Sequence, residues 1–439
     1  EKRCWIATSV VAKALNGLAT IGSDAALNAL ADLSVITPSP DMRERARELF
    51  AEAAAQRNLS PADLADAIVP TFGFDARSER TFDYGPRRFV ARLGVGGALT
   101  LTELREGAAP KRVASLPQPT TRDDVALGAA AHAEWPTLKA QAKAAAALQA
   151  RRLEDALLTR RTWDVARWRA SFQRHPLLRP AATTLVWGLL ADGADANGAS
   201  PYACVFRPLG DGSLTDADDA PVTLPATGAI QLVHPAELAE SAHAQWRRQL
   251  ADSEVKQVFT QLDRSVVRLR DDERGAQWWT GLVGQQFNAR QEQRALESDT
   301  WRRTKAYNPA EWQTHPLNED GYYGPRDFYG CYRRLHPWLD GWALLRVTYL
   351  NSERRDIDLW EWRVILGLGF ARGPTVQDDA RYIPATPGGP IVTHSFMDDD
   401  LRLLPLSEVS PVALSELVGE LQRIVARGRY DPDWRDKVF

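Results

Sequence analysis

The stretch RRTWDVARWRASFQRHPLLRPAATTLVWGL, residues 160–189, combines three tryptophans, a phenylalanine and a His-Pro dipeptide with a leucine-rich run. Val165, Trp168 and Phe172 share one face of a predicted helix, because residues three and four apart lie on the same side. Pro176 ends this helix. A second helix is expected to bury the apolar residues that follow: Leu177, Leu178, Ala181, Leu185, Val186 and Leu189. The stretch is therefore predicted to be a helix–turn–helix packing element.

The His-Pro dipeptide in this stretch has two interpretations, a catalytic or ligand histidine and a structural turn. Four histidines of the chain precede proline: His175, His234, His315 and His336. Proline restricts the residue before it to extended backbone, which ends helices. No spacing among the histidines matches a metal motif such as HExxH. We interpret them as residues that cap helix ends and turns.

The composition indicates a globular protein with several domains. The chain has 439 residues, 44% hydrophobic and 25% charged, and this length predicts two to four domains. A formal net charge of −3 provides no global basic field of the kind that drives non-specific binding to nucleic acid. A local basic patch remains compatible with this charge.

Cysteine usage and hydropathy indicate a cytoplasmic protein. Cys4, Cys204 and Cys331 are far apart and form no CxxC pair, which argues against a disulfide scaffold and fits a reducing compartment. No apolar run reaches the length of about 18 residues that a membrane span needs. The first residues contain neither an initiator Met nor a signal peptide. We therefore expect the chain to be the C-terminal fragment of a longer protein.

Residues 10–33, VVAKALNGLATIGSDAALNALADL, predict two short helices joined at Gly22-Ser23. Val11, Leu15 and Leu18 have helical spacing in the first helix. The pattern is similar to one HEAT-like repeat, and one such pair cannot bury its apolar face alone. A HEAT-like remnant at the N-terminus is therefore expected.

The patterns along the chain predict an α+β fold: the end of a HEAT-like α-helical array, followed by a mixed α/β domain in two lobes. The predicted divisions are a helical repeat remnant at 1–58, a small α+β segment with a β-hairpin and an Ala-rich helix at 59–148, a lobe containing the quoted stretch at 149–270, and a Trp-rich C-terminal lobe at 271–439. The Ala-rich helix is expected to be interrupted near Pro136.

The C-terminal lobe is predicted to contain a hairpin and a terminal helix. Its two strands are GWALLRVTYL and DLWEWRVILGLGF. In the second strand, period-two spacing places four residues on one face: Trp360, Trp362, Val364 and Leu366. Ser410 is expected to cap the terminal helix, with Pro411 as its first residue.

Candidate sites fall mainly in this lobe. Cys331, His336 and Asp340 are candidate metal ligands, because thiolate, imidazole and carboxylate all bind zinc, although one Cys and one His supply only half of a closed site. Candidate binding residues are arginines beside tryptophans, which stack on bases or fill protein interfaces. These residues are Arg333, Arg334, Trp338, Trp342, Arg354 and Arg355.

Two further charge patterns allow either a structural or a ligand-binding role. The chain has arginine doublets at 87–88, 151–152, 160–161, 247–248, 302–303, 333–334 and 354–355. Three or more arginines that converge in space could bind phosphates, whereas scattered pairs form solvated surfaces. Asp211, Asp216, Asp218 and Asp219 crowd one region, where an Asp-Gly turn favours the same composition for backbone reasons. We favour the structural interpretation of these aspartates.

The quoted stretch, together with three others, resembles an uncharacterised bacterial domain found in MolR-like (molybdate metabolism regulator-like) and WGR-domain proteins. The other segments are FDYGPRRF at 82–89, a set between Phe206 and Pro235 that ends in His234-Pro235, and SPVALSE at 410–416. The resemblance is good over residues 60–260, and residues 270–400 match poorly. Trp187-Gly188 is followed by Leu, so no WGR motif occurs. The resemblance provides no catalytic residues and implies partners such as MoxR-type ATPases or VWA-domain proteins.

Three functions stay open at this point. The favoured one is a non-catalytic regulatory or scaffold protein that binds other proteins. The second is an enzyme or nucleic-acid-linked module with its site in residues 315–400, and the third is a transcription-linked regulator of molybdate metabolism. Walker A, Rossmann GxGxxG and GxSxG motifs do not occur, so the usual sequence support for nucleotide hydrolysis, dinucleotide binding and α/β-hydrolase chemistry is missing. The sequence leaves the cofactor unknown and the question of enzymatic activity open.

Overall fold

The computed structural model describes residues 2–37, 39–105, 107–191, 200–288, 302–305, 330–336, 341–349, 362–372 and 402–434. The chain forms two compact units. Unit 1 comprises residues 1–233 and 238–262, and unit 2 comprises residues 234–237 and 263–439. Both units combine helices with antiparallel sheets, so the fold class is α+β, as the sequence predicts.

Unit 1 begins with helices that pack on one another. They are α1 (Lys2–Ile21), α2 (Asp24–Ile36), α3 (Pro40–Gln56) and α4 (Pro61–Ala67). Serine side chains cap two of them: Ser23 accepts the Ala26 N–H and Ser60 accepts the Asp63 N–H. The predicted break at Gly22-Ser23 is confirmed. Of the residues at helical spacing in α1, Leu15 is buried, whereas Val11 is 39% exposed. Membership of the HEAT class stays a prediction.

A sheet and one long helix follow. The strands β1 (Glu79–Asp83), β2 (Arg87–Leu93), β3 (Leu99–Arg105) and β4 (Lys111–Val113) are antiparallel and adjacent in that order. Helix α5 (Val125–Leu158) runs through Pro136 without a break, so the predicted interruption is wrong. Trp135 and Leu138 are buried on either side of the proline, in the same apolar core as the sheet. This packing offsets the hydrogen bond that proline removes from the helix.

The quoted stretch contributes strands as well as helices to unit 1. Its elements are β5 (Thr162–Asp164), α6 (Val165–Trp168), a π-helical turn (Arg169–Arg174), α7 (Leu178–Ala182) and β6 (Trp187–Leu190). The predicted second helix therefore ends early, and its last residues form a strand. Short buried apolar runs have the same pattern in helices and in central strands, so periodicity alone could not separate the two.

Strand β6 is central in its sheet. The other strands are β7 (Tyr202–Pro208), β8 (Leu214–Thr215) and β9 (Ala229–Leu232), in the order β5-β9-β6-β7-β8. Trp187 pairs with Leu232 on one side and with Phe206 on the other. A side chain at Gly188 would overlap the ring of Tyr202. The glycine thus lets the Tyr202 ring lie directly over the strand.

Five aromatic rings form the centre of this region: Trp163, Trp168, Phe172, Trp187 and Phe206. Their contacting ring centroids lie 4.7–6.3 Å apart, mostly edge to face or tilted. Trp168 and Trp187 are fully buried. The aromatic residues of the quoted stretch are therefore core residues.

Helix α8 (Glu240–Asp252) completes the regular structure of unit 1. The segment after it contains Gln261. The fully buried side-chain amide of Gln261 bonds to backbone groups at strand ends, as a neighbouring strand would. Its Oε1 accepts the Val186 N–H at 2.9 Å, and its Nε2 donates to the carbonyls of Val186 and Val233 at 2.7 and 2.9 Å. These bonds satisfy backbone groups at the ends of β6 and β9.

Unit 2 contains an antiparallel sheet and a terminal helix. In the described residues the strands are β10 (Trp278–Trp279), β11 (Gln285–Asn288), β12 (Arg302–Lys305), β13 (Gly330–His336), β14 (Gly341–Tyr349), β15 (Trp362–Arg372), β16 (Arg402–Leu403) and β17 (Arg429–Tyr430). Their order is β12-β13-β14-β15-β11-β17, and β10 and β16 also pair with β15. The helix is α9 (Pro411–Val425).

The expected hairpin is confirmed by the antiparallel pairing of β14 with β15. Trp362, Val364 and Leu366 pack in one cluster as predicted, whereas Trp360 lies outside the described residues. Ser410 is the N-cap residue of α9 and Pro411 is its first residue, as predicted, although the Ser410 side chain makes no capping hydrogen bond. Helix α9 covers the opposite face of the sheet, including Ile365 and Phe370.

The buried part of the quoted stretch gives a stability prediction. Leu178→Ala removes a side chain that is 2% exposed and leaves a cavity, so the free energy of unfolding should fall by about 2–5 kcal/mol. The control Leu127→Ala, at a residue 51% exposed, should change it by less than about 0.5 kcal/mol. Urea unfolding of both variants measures the difference. Equal effects would contradict the packing described here.

Candidate functional site

The candidate metal ligands occupy or follow one strand of unit 2. Cys331 and His336 lie in β13, where their backbones pair with Arg346 and Gly341. Asp340 lies outside the described residues. Among the residues that the structure describes, no three His, Cys, Asp or Glu side chains are grouped as metal ligands. A ligand role for Cys331, His336 and Asp340 stays a prediction.

The candidate binding residues are divided between β13, β14 and segments outside the described residues. Arg333 and Arg334 pair in the sheet with Leu344 and Ala343. Trp342 is 3% exposed and packs with Leu344. The remaining candidates lie outside the described residues: Trp338, Arg354 and Arg355. The structure therefore places Trp342 in a core, and the binding role of the set as a whole stays a prediction.

His175 caps the turn that begins α7. Its Nδ1 accepts the N–H groups of Leu177 and Leu178 at 3.2 and 3.4 Å, and its Nε2 donates to the Val69 carbonyl at 3.1 Å. A ring nitrogen that accepts cannot carry a proton, so the imidazole is neutral. Burial lowers the pKa of His175, which favours the same state.

His234 uses the same arrangement in unit 2. Its Nδ1 accepts the Ala236 N–H at 3.1 Å, and its Nε2 lies 2.9 Å from Oε1 of Glu416. The capping interpretation of His-Pro is therefore confirmed for both histidines. His315 lies outside the described residues, and His336 is a strand residue.

Two of the four aspartates near the Asp-Gly turn bond to nearby backbone, and the other two, Asp218 and Asp219, accept from Gln245 and Gln249 of α8. Asp211 accepts the N–H and hydroxyl of Ser213 at 2.9 and 2.6 Å, which lowers the pKa of its carboxyl. Asp216 accepts the N–H groups of Asp218 and Ala220, each at 2.9 Å. This geometry bears out the turn interpretation.

Arginines from two of the doublets converge on one carboxylate of unit 1. Asp66 accepts Nη2 of Arg152 at 3.1 Å, Nη2 of Arg161 at 2.6 Å and the indole N–H of Trp163 at 2.8 Å. Asp63, one turn earlier in α4, pairs with Arg161 at 3.3 Å and with Arg167. We call these six residues the Asp66 cluster. It connects α4 with α5, β5 and α6.

The charged groups of the Asp66 cluster bind one another. Two carboxylates face three guanidinium groups, and Arg152 also donates to the Ala65 carbonyl at 2.8 Å. The hydrogen bond from Arg167 lowers the pKa of Asp63, so its carboxyl stays ionised. The sequence raised phosphate binding as one outcome of such convergence. Here Asp63 and Asp66 occupy the positions that phosphate oxygens would take, so the cluster acts as an internal connection.

Near Arg152, burial disfavours the ionised form of two further acidic side chains, Asp32 and Asp155. Burial raises the pKa of Asp32, and Arg152 only partly compensates. Burial and then the charge of Glu154 raise the pKa of Asp155. The buried Oδ1 of Asp32 has no hydrogen-bond partner in the described structure. An ionised Asp32 therefore destabilises the folded state at neutral pH.

A second ion-pair network lies where the sheet of unit 1 meets α5. Arg87, from the FDYGPRRF segment, donates to both carboxylate oxygens of Asp123 at 2.9 and 2.6 Å and to Glu103 at 3.2 Å. The hydrogen bond from Arg87 is the main reason that the pKa of Asp123 lies well below its usual range. This doublet thus also supplies an arginine to an internal bond.

In unit 2, Glu416 joins two partners that are distant in sequence. It accepts from His234 at 2.9 Å and from Nη1 of Arg264 at 2.6 Å. Burial acts to raise the pKa of Glu416, but the hydrogen bond from His234 and the charge of Arg264 outweigh it and lower the pKa. The carboxylate is thus ionised and fixes the 234–237 segment against α9.

Sequence analysis missed Asp63, Asp66 and Glu416. The two aspartates are three residues apart in PADLADA, so they share one face of α4, and this spacing was the available signal. Nothing in the sequence joins Glu416 to His234, 182 residues away.

The outer face of α1 carries exposed apolar residues at helical spacing. Val10 and Ile21 are 61% and 68% exposed, and Ala14 and Gly17 between them are also exposed. The intervals are four, three and four residues, which align on one side of a helix. We call these four residues the α1 stripe. The helix buries a different face, containing Leu15, against α2 and α3.

Comparisons with known proteins give a family match without a function. A family model described as "Domain of unknown function (DUF4132)" matches residues 111–301. The chain is also similar to "Uncharacterized protein YehI" of Escherichia coli (strain K12), with 32% identity over 259 residues, which are 59% of this chain and 21% of that protein. The chain thus spans about a fifth of the length of this relative. No solved structure matches the chain.

The helices of the chain do not meet the requirements of a membrane span in the part that the structure describes. Among the described residues, none of them combines the length and the apolar character needed to cross a bilayer.

The Asp66 cluster predicts that replacing Asp66 with an uncharged residue strongly lowers the stability of the fold. Asp66→Asn leaves Arg152 and Arg161 without their shared, nearly buried carboxylate, so the free energy of unfolding should fall by about 3 kcal/mol. The control Asp24→Asn breaks an exposed pair with Arg57, 3.0 Å long, and should cost less than about 1 kcal/mol. Chemical denaturation at pH 7 distinguishes the two. A smaller loss for Asp66→Asn than for the control would contradict the connecting role.

The raised pKa of Asp32 predicts that removing its charge stabilises the protein, to an extent that depends on pH. Its folded-state pKa is raised, so the charged form destabilises the protein above that pKa, and the penalty disappears as pH falls through the folded and then the unfolded value. Asp32→Asn should therefore be more stable than wild type at pH 7, and the gain should shrink toward pH 4. Thermal melts from pH 4 to pH 8 test this. A gain that grows toward acid would overturn the assignment.

Proposed function

We propose that this chain is a non-catalytic interaction module of a larger bacterial scaffold or regulatory protein. The observation that carries the proposal is the α1 stripe. Val10 and Ile21 expose large apolar side chains at its two ends. Apolar surface in water gains free energy when a partner covers it, in proportion to the area buried. We take this row of exposed apolar residues as a docking surface for protein.

The ion pairs of the described residues support this proposal. Carboxylates and guanidinium groups of the Asp66 cluster and of the Arg87 network bind each other at 2.6–3.3 Å. Two of the histidines that precede proline, His175 and His234, serve as caps. These groups stabilise the fold, so they offer little charge for recognition of a separate ligand.

Similarity to a much longer protein supports a modular role. The matched region is 21% of the E. coli relative, so the remaining four-fifths of such a protein offers segments that could cover α1. The resemblance to MolR-like and WGR-domain proteins is the basis for proposing MoxR-type ATPases or VWA-domain proteins as further partners.

A bait experiment with charge variants tests the function. The tagged chain is incubated with extract of a bacterium that encodes it, and bound proteins are quantified by mass spectrometry. Val10→Glu/Ile21→Glu places two charges in the α1 stripe and should reduce capture of a partner by about tenfold or more. Val125→Glu/Leu127→Glu changes exposed apolar residues of α5 and should retain it.

Thermal melts of the variants serve as the folding control, because all four positions are exposed. If no captured protein distinguishes the stripe variant from the α5 variant, the proposed function is wrong.

A further inference from the structure

We propose that the first sheet of unit 1, formed by β1 to β4, binds an acidic segment of a separate protein. The binding surface is the side of the sheet that faces away from α5. We call it the open face, and its residues in β2 to β4 include Arg88, Val90, Arg92, Thr102, Leu104 and Arg112. This surface is distinct from the α1 stripe, so the proposal goes beyond the function proposed above and does not depend on it.

Only one side of this sheet is covered by the chain. Successive side chains of a strand point to opposite sides of the sheet. Phe89 and Leu101 point to the covered side and lie in the same apolar core as residues of α5. On the other side Arg88 and Arg112 are exposed, and Leu104 is 38% exposed. The open face is therefore available to another molecule.

The strands that form the open face are strongly basic. Residues 84–122 contain seven arginines and lysines but only two glutamates, whereas the whole chain has a net charge of −3. Arg87 points to the covered side and bonds to Asp123 and Glu103 there. Among the described residues, neither Arg88 nor Arg112 makes an ion pair or a side-chain hydrogen bond. Their charges are therefore available to an anionic partner.

The strand register fixes the spacing of these two charges. Arg88 pairs with Leu104 on one side of β3, and Arg112 pairs with Thr102 on the other side. The two arginines are thus two strands and two residues apart, which is about 12 Å between their Cα atoms. Leu104 lies between them on the same face. A matching partner carries carboxylates on either side of an apolar residue.

The composition of the open face favours a protein segment over nucleic acid. Proteins that bind single strands combine basic grooves with aromatic side chains that stack on bases. The two aromatic residues of β1 to β4, Phe82 and Phe89, are both buried on the covered side. Asp83 lies directly opposite Arg88 at the border with β1, where its charge repels a continuous phosphate backbone. Leu104 offers the apolar contact that a protein side chain makes.

Electrostatics also identify the source of the acidic segment. In a two-fold contact between copies of this chain the open face would meet itself, so its arginines would repel those of the other copy. Unpaired surface charge speeds the encounter of separate molecules. A segment joined to the same chain is already at high local concentration and gains little from such attraction. The segment is therefore assigned to a separate protein.

Photo-crosslinking from the centre of the open face tests the identity of the partner. p-Benzoylphenylalanine replaces Thr102, which lies between Val90 and Arg112 in the sheet. The tagged full chain is irradiated in extract of a bacterium that encodes it, and the crosslinked products are identified by mass spectrometry. The expected product is a segment of another protein in which Asp and Glu outnumber Lys and Arg. Crosslinks to nucleic acid, to a second copy or to a segment without this acidic excess would overturn the proposal, as would the lack of any crosslink.

A synthetic peptide of the crosslinked segment tests the role of charge. Its binding to the full chain is measured by fluorescence anisotropy. Arg88→Gln/Arg112→Gln should weaken the binding by about tenfold or more. The matched control Arg151→Gln/Arg248→Gln removes two exposed arginines of α5 and α8 and should change it by less than about twofold. Equal effects of the two double variants would contradict a specific role of the open face.

Two further measurements complete this test. A peptide with Asn and Gln in place of its Asp and Glu should lose binding to a similar extent, and undiminished binding would overturn the proposal. Thermal melts of both double variants should match the wild type, because all four arginines are exposed.

One more variant separates this proposal from the proposed function. Val10→Glu/Ile21→Glu changes the α1 stripe and should leave the crosslink from position 102 in place. Failure of the acidic peptide to bind would overturn the role of the open face, whereas capture through the α1 stripe would be unaffected. Capture that is insensitive to the glutamate variant would overturn the proposed function and leave the open face as a binding surface.

Discussion

The arrangement of unit 1 depends on the burial of Trp187 at the centre of its sheet. Trp187 pairs with Leu232 and Phe206 through the backbone and contacts Trp163, Trp168 and Phe172 through its ring. The elements that supply these rings, β5, α6 and the π-helical turn, must therefore pack close to β6. Because protein interiors are close-packed, a change in any of these rings shifts the others.

Ion pairs then fix the helices around this core. The Asp66 cluster holds α4 to α5, β5 and α6, and Arg87 holds Asp123 and Glu103 beside the first sheet. In unit 2, Glu416 does the same for the 234–237 segment. Such pairs add little net free energy, because desolvation offsets much of their attraction. They form only when their geometry is right. Their main effect is to select one arrangement of the elements. None of these pairs covers Val10 or Ile21 of α1, which stay exposed.

Sequence patterns predicted well the features that depend on neighbours in the chain. The helix break at Gly22-Ser23, the β14–β15 hairpin and the capping role of His175 all follow from local backbone preferences. The same reasoning predicted a helix at the end of the quoted stretch, where the structure has strand β6. It also expected α5 to break at Pro136, because local rules omit the packing that holds Trp135 in place. The metal and binding candidates near β13 remain untested predictions.

The sequence by itself determined the α+β class, the aromatic character of the core and the spacing of the α1 residues, because each is set by local composition and periodicity. Only the tertiary structure decided that Trp187 lies in a central strand, that Arg152 and Arg161 share Asp66, and that Glu416 meets His234. It also decided that Val10 and Ile21 face outward while Leu15 faces the core. Contacts between residues tens to hundreds of positions apart depend on chain topology, which has no signal in local sequence.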